Sequence, residues 1–138
     1  ATSAATMAAM TTTLLLPFNF VAIGLGAALG AWLRWLLGLR LNIVGWPWGT
    51  MAANLIGGYL IGLMVALVAA HPAWPGWIRL AVITGCLGGL TTFSTFSAET
   101  VAMLERGQYG VALAYAGTSL LGSLALTALG LATVHLFR

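Results

Sequence analysis

The sequence predicts an all-α membrane protein with four transmembrane helices. Three observations predict it. First, 61% of the residues are hydrophobic and only 5% are charged, whereas a soluble domain carries about a quarter charged residues. Second, the apolar residues fall into four runs, each long enough for a ~30 Å hydrocarbon core, which takes roughly 20 residues. Third, tryptophans flank the gaps between the runs, and indoles favour the membrane interface. The mean hydropathy of +1.03 matches this surface to lipid rather than water. A single four-helix transmembrane domain over residues 14–138 takes up nearly all of the chain and leaves no length for an extramembrane catalytic module.

Residues 1–13, ATSAATMAAMTTT, are rich in Ala, Thr and Ser and uncharged. Without a basic start they do not read as a secretory signal. They are expected to form a disordered tail, with Met7 and Met10 as alternative natural starts. The first span is expected from about Phe18 to Leu39. Its Gly26 and Gly30 form a small-xxx-small pair that lets another helix approach closely. NIVGWPWG ends that pattern, and the second span follows from about Thr50 to Ala70. HPAWPGW is a Pro- and Gly-rich turn. The third span runs from about Ile78 to Leu104 and is expected to be broken near its middle, at GCLGGLTT. There Gly85, Gly88 and Gly89, then Thr91 and Thr92, disfavour helix. ERGQYG makes a tight connection to a fourth span over about Val111–Phe137.

Five arginines stand against two glutamates, for a net charge of +3. Scattered arginines form no nucleic-acid stripe, so no nucleic-acid partner is expected. Four spans put both termini and the middle loop on one side, with Arg79 and Arg138. The other side holds Arg40 and Arg106, with Arg34 a turn deeper. Positive residues normally mark the cytoplasmic face, and this near balance sets no preferred orientation. A chain that inserts both ways can form an antiparallel, dual-topology homodimer, whose inverted symmetry comes from the second copy. Cys86 is the one cysteine and reads as a small filler. His71 and His135 show no metal-ligand spacing. No nucleophile–base pair, carboxylate pair or phosphate-binding loop is visible, so the protein is not expected to be an enzyme.

The polar residues inside the spans carry the functional reading. Tyr115, Ser119, Ser123 and Thr127 are spaced by four, which lines them up on one helix face. The line is about 18 Å long at ~1.5 Å per residue. Such hydroxyls either solvate an ion moving along the helix, or glue helices together and bond back to their own backbone. The regular spacing favours the ion path. Non-helical backbone at membrane depth is tolerated inside protein or beside a cavity, and its free carbonyls can hold a cation. Two breaks meeting on a two-fold axis would offer four carbonyls to one Na⁺; otherwise the glycines form a packing notch. Phe93 and Phe96 share a face and alternate with Thr92, Ser94 and Thr95. They serve lipid or core contact, or present their positive ring edges to an anion. Asn54 makes an interhelical hydrogen bond or donates to an ion. Arg34 and Glu99 are intramembrane charges and functional suspects by default. Arg34 draws anions to a pore mouth or snorkels to the interface. Glu99 is protonated, sits at a wet pore mouth, or bonds to hydroxyls.

GCLGGLTTFSTFSAET, with ANLIGGYLIG around Asn54 and GAALGAWLRW around Arg34, resembles the Fluc (CrcB) family of fluoride channels. The resemblance covers nearly everything from about Phe18 onward. It implies an antiparallel, dual-topology homodimer with two separate fluoride pores and a structural Na⁺ at the dimer centre. It implies that Phe93 and Phe96 are the paired rings of the pore and Asn54 its polar residue on the second helix. Ser94, Thr95, Tyr115, Ser119, Ser123 and Thr127 would form the polar track and its neighbours. Arg34 would be the vestibule arginine, and Gly88 and Thr91 the carbonyl donors to Na⁺. The function implied is passive, fluoride-selective export from the cytoplasm across a bacterial inner membrane. A membrane 100 mV negative inside favours anion exit by about 2.3 kcal/mol per charge. The runner-up is a small four-helix, dual-topology multidrug exporter. That pump needs a carboxylate deep in its first helix, and both glutamates here lie late in the third span.

Overall fold

The computed structural model describes residues 3–137 and is almost wholly helical. Helix α2, Pro17–Leu41, begins with proline in its first turn, where a missing N–H leaves no bond unmade. It ends at Asn42 in a two-stranded hairpin, β1 (Asn42–Ile43) against β2 (Trp46–Pro47). Gly45 turns this hairpin at φ 97°, a left-handed conformation that glycine adopts without steric cost. The Asn42 side chain then accepts hydrogen bonds from the N–H groups of Gly49 (2.7 Å) and Thr50 (3.4 Å). It thereby satisfies two of the free donors at the start of α3, Trp48–Ala70.

The third span, Gly76–Glu105, is composite. A short helix α4 (Gly76–Arg79) leads into a π-helical stretch, Leu80–Leu87, and then α5, Gly88–Leu90. Thr91 (φ −84°, ψ 150°) and Thr92 (φ −151°, ψ 114°) are extended. Helix α6, Phe93–Glu105, completes the span, with the Thr92 hydroxyl accepting the Thr95 N–H at 3.1 Å as its cap. The structure therefore has something narrower than the expected break: a two-residue interruption in a span that is bent only slightly. After a turn with Gly107 at φ 72°, α7 runs from Tyr109 to Leu136. Four helical segments are long and apolar enough to cross a membrane: Pro17–Leu41, Trp48–Ala70, Gly76–Glu105 and Tyr109–Leu136. The protein is an integral, multi-pass membrane protein.

Helix α1, Ala4–Leu14, stands where a disordered tail was expected. Alanine favours helix, and Ser3 caps the first turn by accepting the Thr6 N–H at 3.3 Å. No residue of α1 is buried, so it rests on propensity and its caps, with Asn19 Nδ2 donating to the Thr13 and Leu14 carbonyls at its end (3.1 and 3.2 Å), and an isolated helix this short is marginal in water. Residues 1 and 2 of that tail, and Arg138 of the charge count, lie outside the described residues.

Glycines set the helix packing. Cβ atoms at Gly26 and Gly30 would run into the carbonyl oxygens of Ala81 and Cys86, and one at Gly85 would lie 2.7 Å from the Ile23 carbonyl oxygen. These contacts seal α2 against the first half of the third span. In the same way Gly62 meets the Thr127 backbone and Gly130 meets Tyr59, sealing α3 against α7. Overpacking of this kind costs about 1–3 kcal/mol or more. Gly30→Val is therefore expected to remove the monodisperse peak on size exclusion in detergent. Gly24→Val, at a position with nothing within 4 Å, is expected to leave it intact.

Candidate functional site

The interruption at Thr91–Thr92 frees backbone groups at membrane depth, where each must find a partner. Asn54, on the facing side of α3, supplies them. Its Nδ2 donates to the Thr92 carbonyl at 3.1 Å, and its Oδ1 accepts the Thr92 N–H at 2.7 Å. One side-chain amide thus pairs both polar groups of one residue, taking the place of helical bonds. An asparagine amide has two N–H donors, and this arrangement engages one of them. Thr91 looks inward instead: its hydroxyl donates to the Leu87 carbonyl at 2.8 Å.

Beside this clamp lies a cavity of about 300 Å³. Asn54, Gly57 and Gly58 line it from α3, Thr91, Thr92, Phe93 and Phe96 from the third span, and Ser119 and Ser123 from α7. The Ser119 residue is 4% exposed. Its Oγ and Trp46 Nε1 are the buried side-chain polar atoms without a hydrogen-bond partner among the described residues. Buried polar groups are nearly always paired, and this hydroxyl, on a residue of the cavity wall, is an exception.

Five aromatic rings stand in file, the last two on the cavity wall: Trp48, Trp46, Tyr115, Phe96 and Phe93. Their successive centroid separations are 5.5, 5.6, 5.4 and 5.7 Å. Phe93, at the cavity end, is 79% exposed on the single chain. Tyr115 is fully buried, and its hydroxyl donates to Glu99 Oε2 at 2.7 Å. Thr50 donates to Glu99 Oε1 at 2.8 Å. Both carboxylate oxygens are thus held by hydroxyls, one from α3 and one from α7.

The structure divides the expected track of hydroxyls. Ser119 and Ser123 face the cavity, while Tyr115 serves Glu99. Thr127 donates to the carbonyls of Gly58 (3.0 Å) and Ser123 (2.9 Å) and so joins two helices. Thr95 Oγ1 accepts from the Thr92 hydroxyl at 3.0 Å, and the Ser94 hydroxyl lies 3.3 Å from Thr92 Oγ1. Arg34 stands apart from the cavity lining, with its Nε donating to the Gly89 carbonyl at 3.1 Å. Gly88 is exposed at the start of α5, and Thr91 lies just past the end of α5. Sequence reasoning missed Thr50 and Trp46. Thr50 lies four residues before Asn54, so it shares a helix face with the polar residue that was noticed.

Fold and site together define a class: a small four-span membrane protein with a polar and aromatic cavity beside an interrupted helix. The chain belongs to the CrcB family, described as "CrcB-like protein, Camphor Resistance (CrcB)", which it matches over residues 21–131. It is 77% identical over 120 residues to the fluoride-specific ion channel FluC of Bordetella pertussis, covering 87% of this chain and 94% of that protein. The FluC of Bordetella avium is 69% identical over 123 residues, 89% of this chain and 98% of the relative. That of Cupriavidus pinatubonensis is 56% identical over 122 residues, with 87% and 97% covered.

Proposed function

We propose that the protein is a passive, fluoride-selective ion channel that exports cytoplasmic fluoride down its electrochemical gradient. The observation that carries this reading is the cavity beside Thr92. There an unpaired buried hydroxyl, a second amide donor and aromatic rings converge on one space. Fluoride is small and strongly hydrated, so its path must replace water with hydrogen-bond donors. Asn54, Ser119 and Ser123 supply donors on one side. Phe93 and Phe96 supply ring edges, which carry partial positive charge. Ser94, Thr95, Tyr115 and Thr127 complete or support the track, Arg34 lies toward its vestibule but outside the cavity lining, and Glu99 marks its mouth. The carboxylate there is held by Thr50 and Tyr115. The four-helix multidrug exporter fits less well, because α2 carries no carboxylate for proton coupling.

The functional unit in this reading is an antiparallel, dual-topology homodimer in the bacterial inner membrane, with two pores. The cavity opens on a face where Phe93 is left uncovered, and a second copy would complete the wall. A structural Na⁺ at the dimer centre suits the donor set. Thr91 has left helical geometry, and Gly88 is exposed with only the Ile83 carbonyl, at 3.6 Å, near where its Cβ would be. The carbonyls of Gly88 and Thr91 from both copies would hold the ion, whose charge would lock the two interruptions together. Carbonyl oxygens suit a hard cation, and no group of three or more His, Cys, Asp or Glu exists among the described residues for a softer one.

Liposome flux tests the reading. Purified protein in vesicles loaded with fluoride or chloride is expected to release fluoride rapidly and retain chloride, as followed with ion-selective electrodes. Retention of both ions by protein shown to be a folded dimer would count against the channel and return the exporter to consideration.

A further inference from the structure

Arg34 lies inside the first span, and its charge suggests attraction of anions. Its geometry suggests something else. The α2 face formed by Ala27, Gly30, Ala31 and Arg34 lies against the end of the third span's first half. A Cβ on Gly89 would lie 2.5 Å from the Ala27 carbonyl oxygen and 3.1 Å from the Ala31 nitrogen. One on Gly30 would lie 2.8 Å from the Leu90 nitrogen. Arg34 is the next residue along this face and is half-buried. Its Nε donates to the Gly89 carbonyl at 3.1 Å, two residues before the interruption. Within the interruption, Asn54 holds both polar groups of Thr92. The interruption is thus clamped from two helices, by Arg34 of α2 just before it and by Asn54 of α3 at its second residue.

We propose that Arg34 is a positioning residue for the ion path, acting through the Gly89 carbonyl rather than through its charge. It fixes α5, and with it the turn from which Phe93 projects and the carbonyls of Gly88 and Thr91. The proposal rests on the channel reading for its consequence, but the clamp itself can be tested without it. Side-chain chemistry supplies the test. Counting outward from Cα, the Nε2 of a glutamine falls at the same step as the Nε of an arginine. Arg34→Gln therefore keeps a donor for Gly89 and removes the charge. A lysine has a methylene at that step, so Arg34→Lys keeps the charge and removes the donor.

Hydrogen exchange read by mass spectrometry over Gly88–Phe93, on the purified full-length dimer, measures the clamp. Flux in liposomes measures its consequence. With Arg34→Lys, exchange in this segment is expected to rise about ten-fold, the loss of one charge-assisted hydrogen bond, and fluoride flux to fall in step. With Arg34→Gln, exchange and flux are expected to stay within about two-fold of the parent, a small change on the same scale. The reverse pattern, with lysine conducting and glutamine failing, would establish an electrostatic role and overturn the proposal. Unchanged exchange in both variants would overturn it as well, whatever the flux. If the parent protein itself fails to conduct, the channel reading falls, while the exchange pattern still decides the clamp.

Discussion

Asn54→Ala is expected to abolish fluoride flux and to destabilise the protein, and Asn54→Asp to abolish flux while leaving a folded dimer. The alanine change strips partners from both the N–H and the carbonyl of Thr92. An unsatisfied buried polar group costs about 1–3 kcal/mol, so the interruption loses a large share of what holds it. Aspartate keeps an acceptor for the Thr92 N–H, the shorter of the two bonds. It also places a negative charge on the cavity wall. Two like charges 4 Å apart repel by about 4 kcal/mol at an effective dielectric of 20. That corresponds to nearly three orders of magnitude in anion occupancy. Size exclusion in detergent and liposome efflux, measured on the same preparation, separate the two effects. Wild-type fluoride efflux from folded Asn54→Asp protein would remove Asn54 from the ion path and leave it as a backbone clamp only.

Much of the architecture is legible in the sequence, because lipid leaves few alternatives. Apolar runs between interfacial tryptophans place the spans within two residues or so of Pro17–Leu41, Trp48–Ala70, Gly76–Glu105 and Tyr109–Leu136. The Gly26–Gly30 pair also reads correctly as a close-approach surface. The partners of the polar residues are less legible. The spacing of Tyr115, Ser119, Ser123 and Thr127 shows a shared face but not the atoms opposite each hydroxyl. Thr127 is diverted to the Gly58 carbonyl because α3 comes close at a residue without a side chain. Tyr115 is diverted because Glu99, sixteen residues earlier, turns back beneath it. The pairing of Asn54 with Thr92 spans 38 residues and has no local signature. The π-helical stretch Leu80–Leu87 has none either. It is mostly apolar, with Thr84 and Gly85 among its residues, and packs on the glycine face of α2. The alanines of α1 carry helix propensity, but the absence of charge and pattern there reads equally as disorder.

Phe93→Leu is expected to leave the fold of the single chain intact and to lower fluoride flux by about 2- to 10-fold. The ring is 79% exposed on the protomer, and its recorded aromatic neighbour is Phe96 at 5.7 Å. Little packing within the chain depends on it. Leucine and phenylalanine are both at home in lipid, so a phenylalanine that merely greases the lipid face is replaced at no functional cost. A ring that lends its edge to an anion is not replaceable in this way. Leucine has similar bulk but no quadrupole, and the edge interactions of an aromatic ring are worth about 0.5–1.5 kcal/mol beyond its area. Lost at Phe93 in a file that continues through Phe96 and Tyr115, that interaction interrupts the path at its most exposed point. Phe93→Tyr keeps the ring and is expected to retain most of the flux. Equal efflux from the leucine, tyrosine and parent proteins would assign Phe93 to lipid or dimer packing. The anion path would then rest on the donors of Asn54, Ser119 and Ser123.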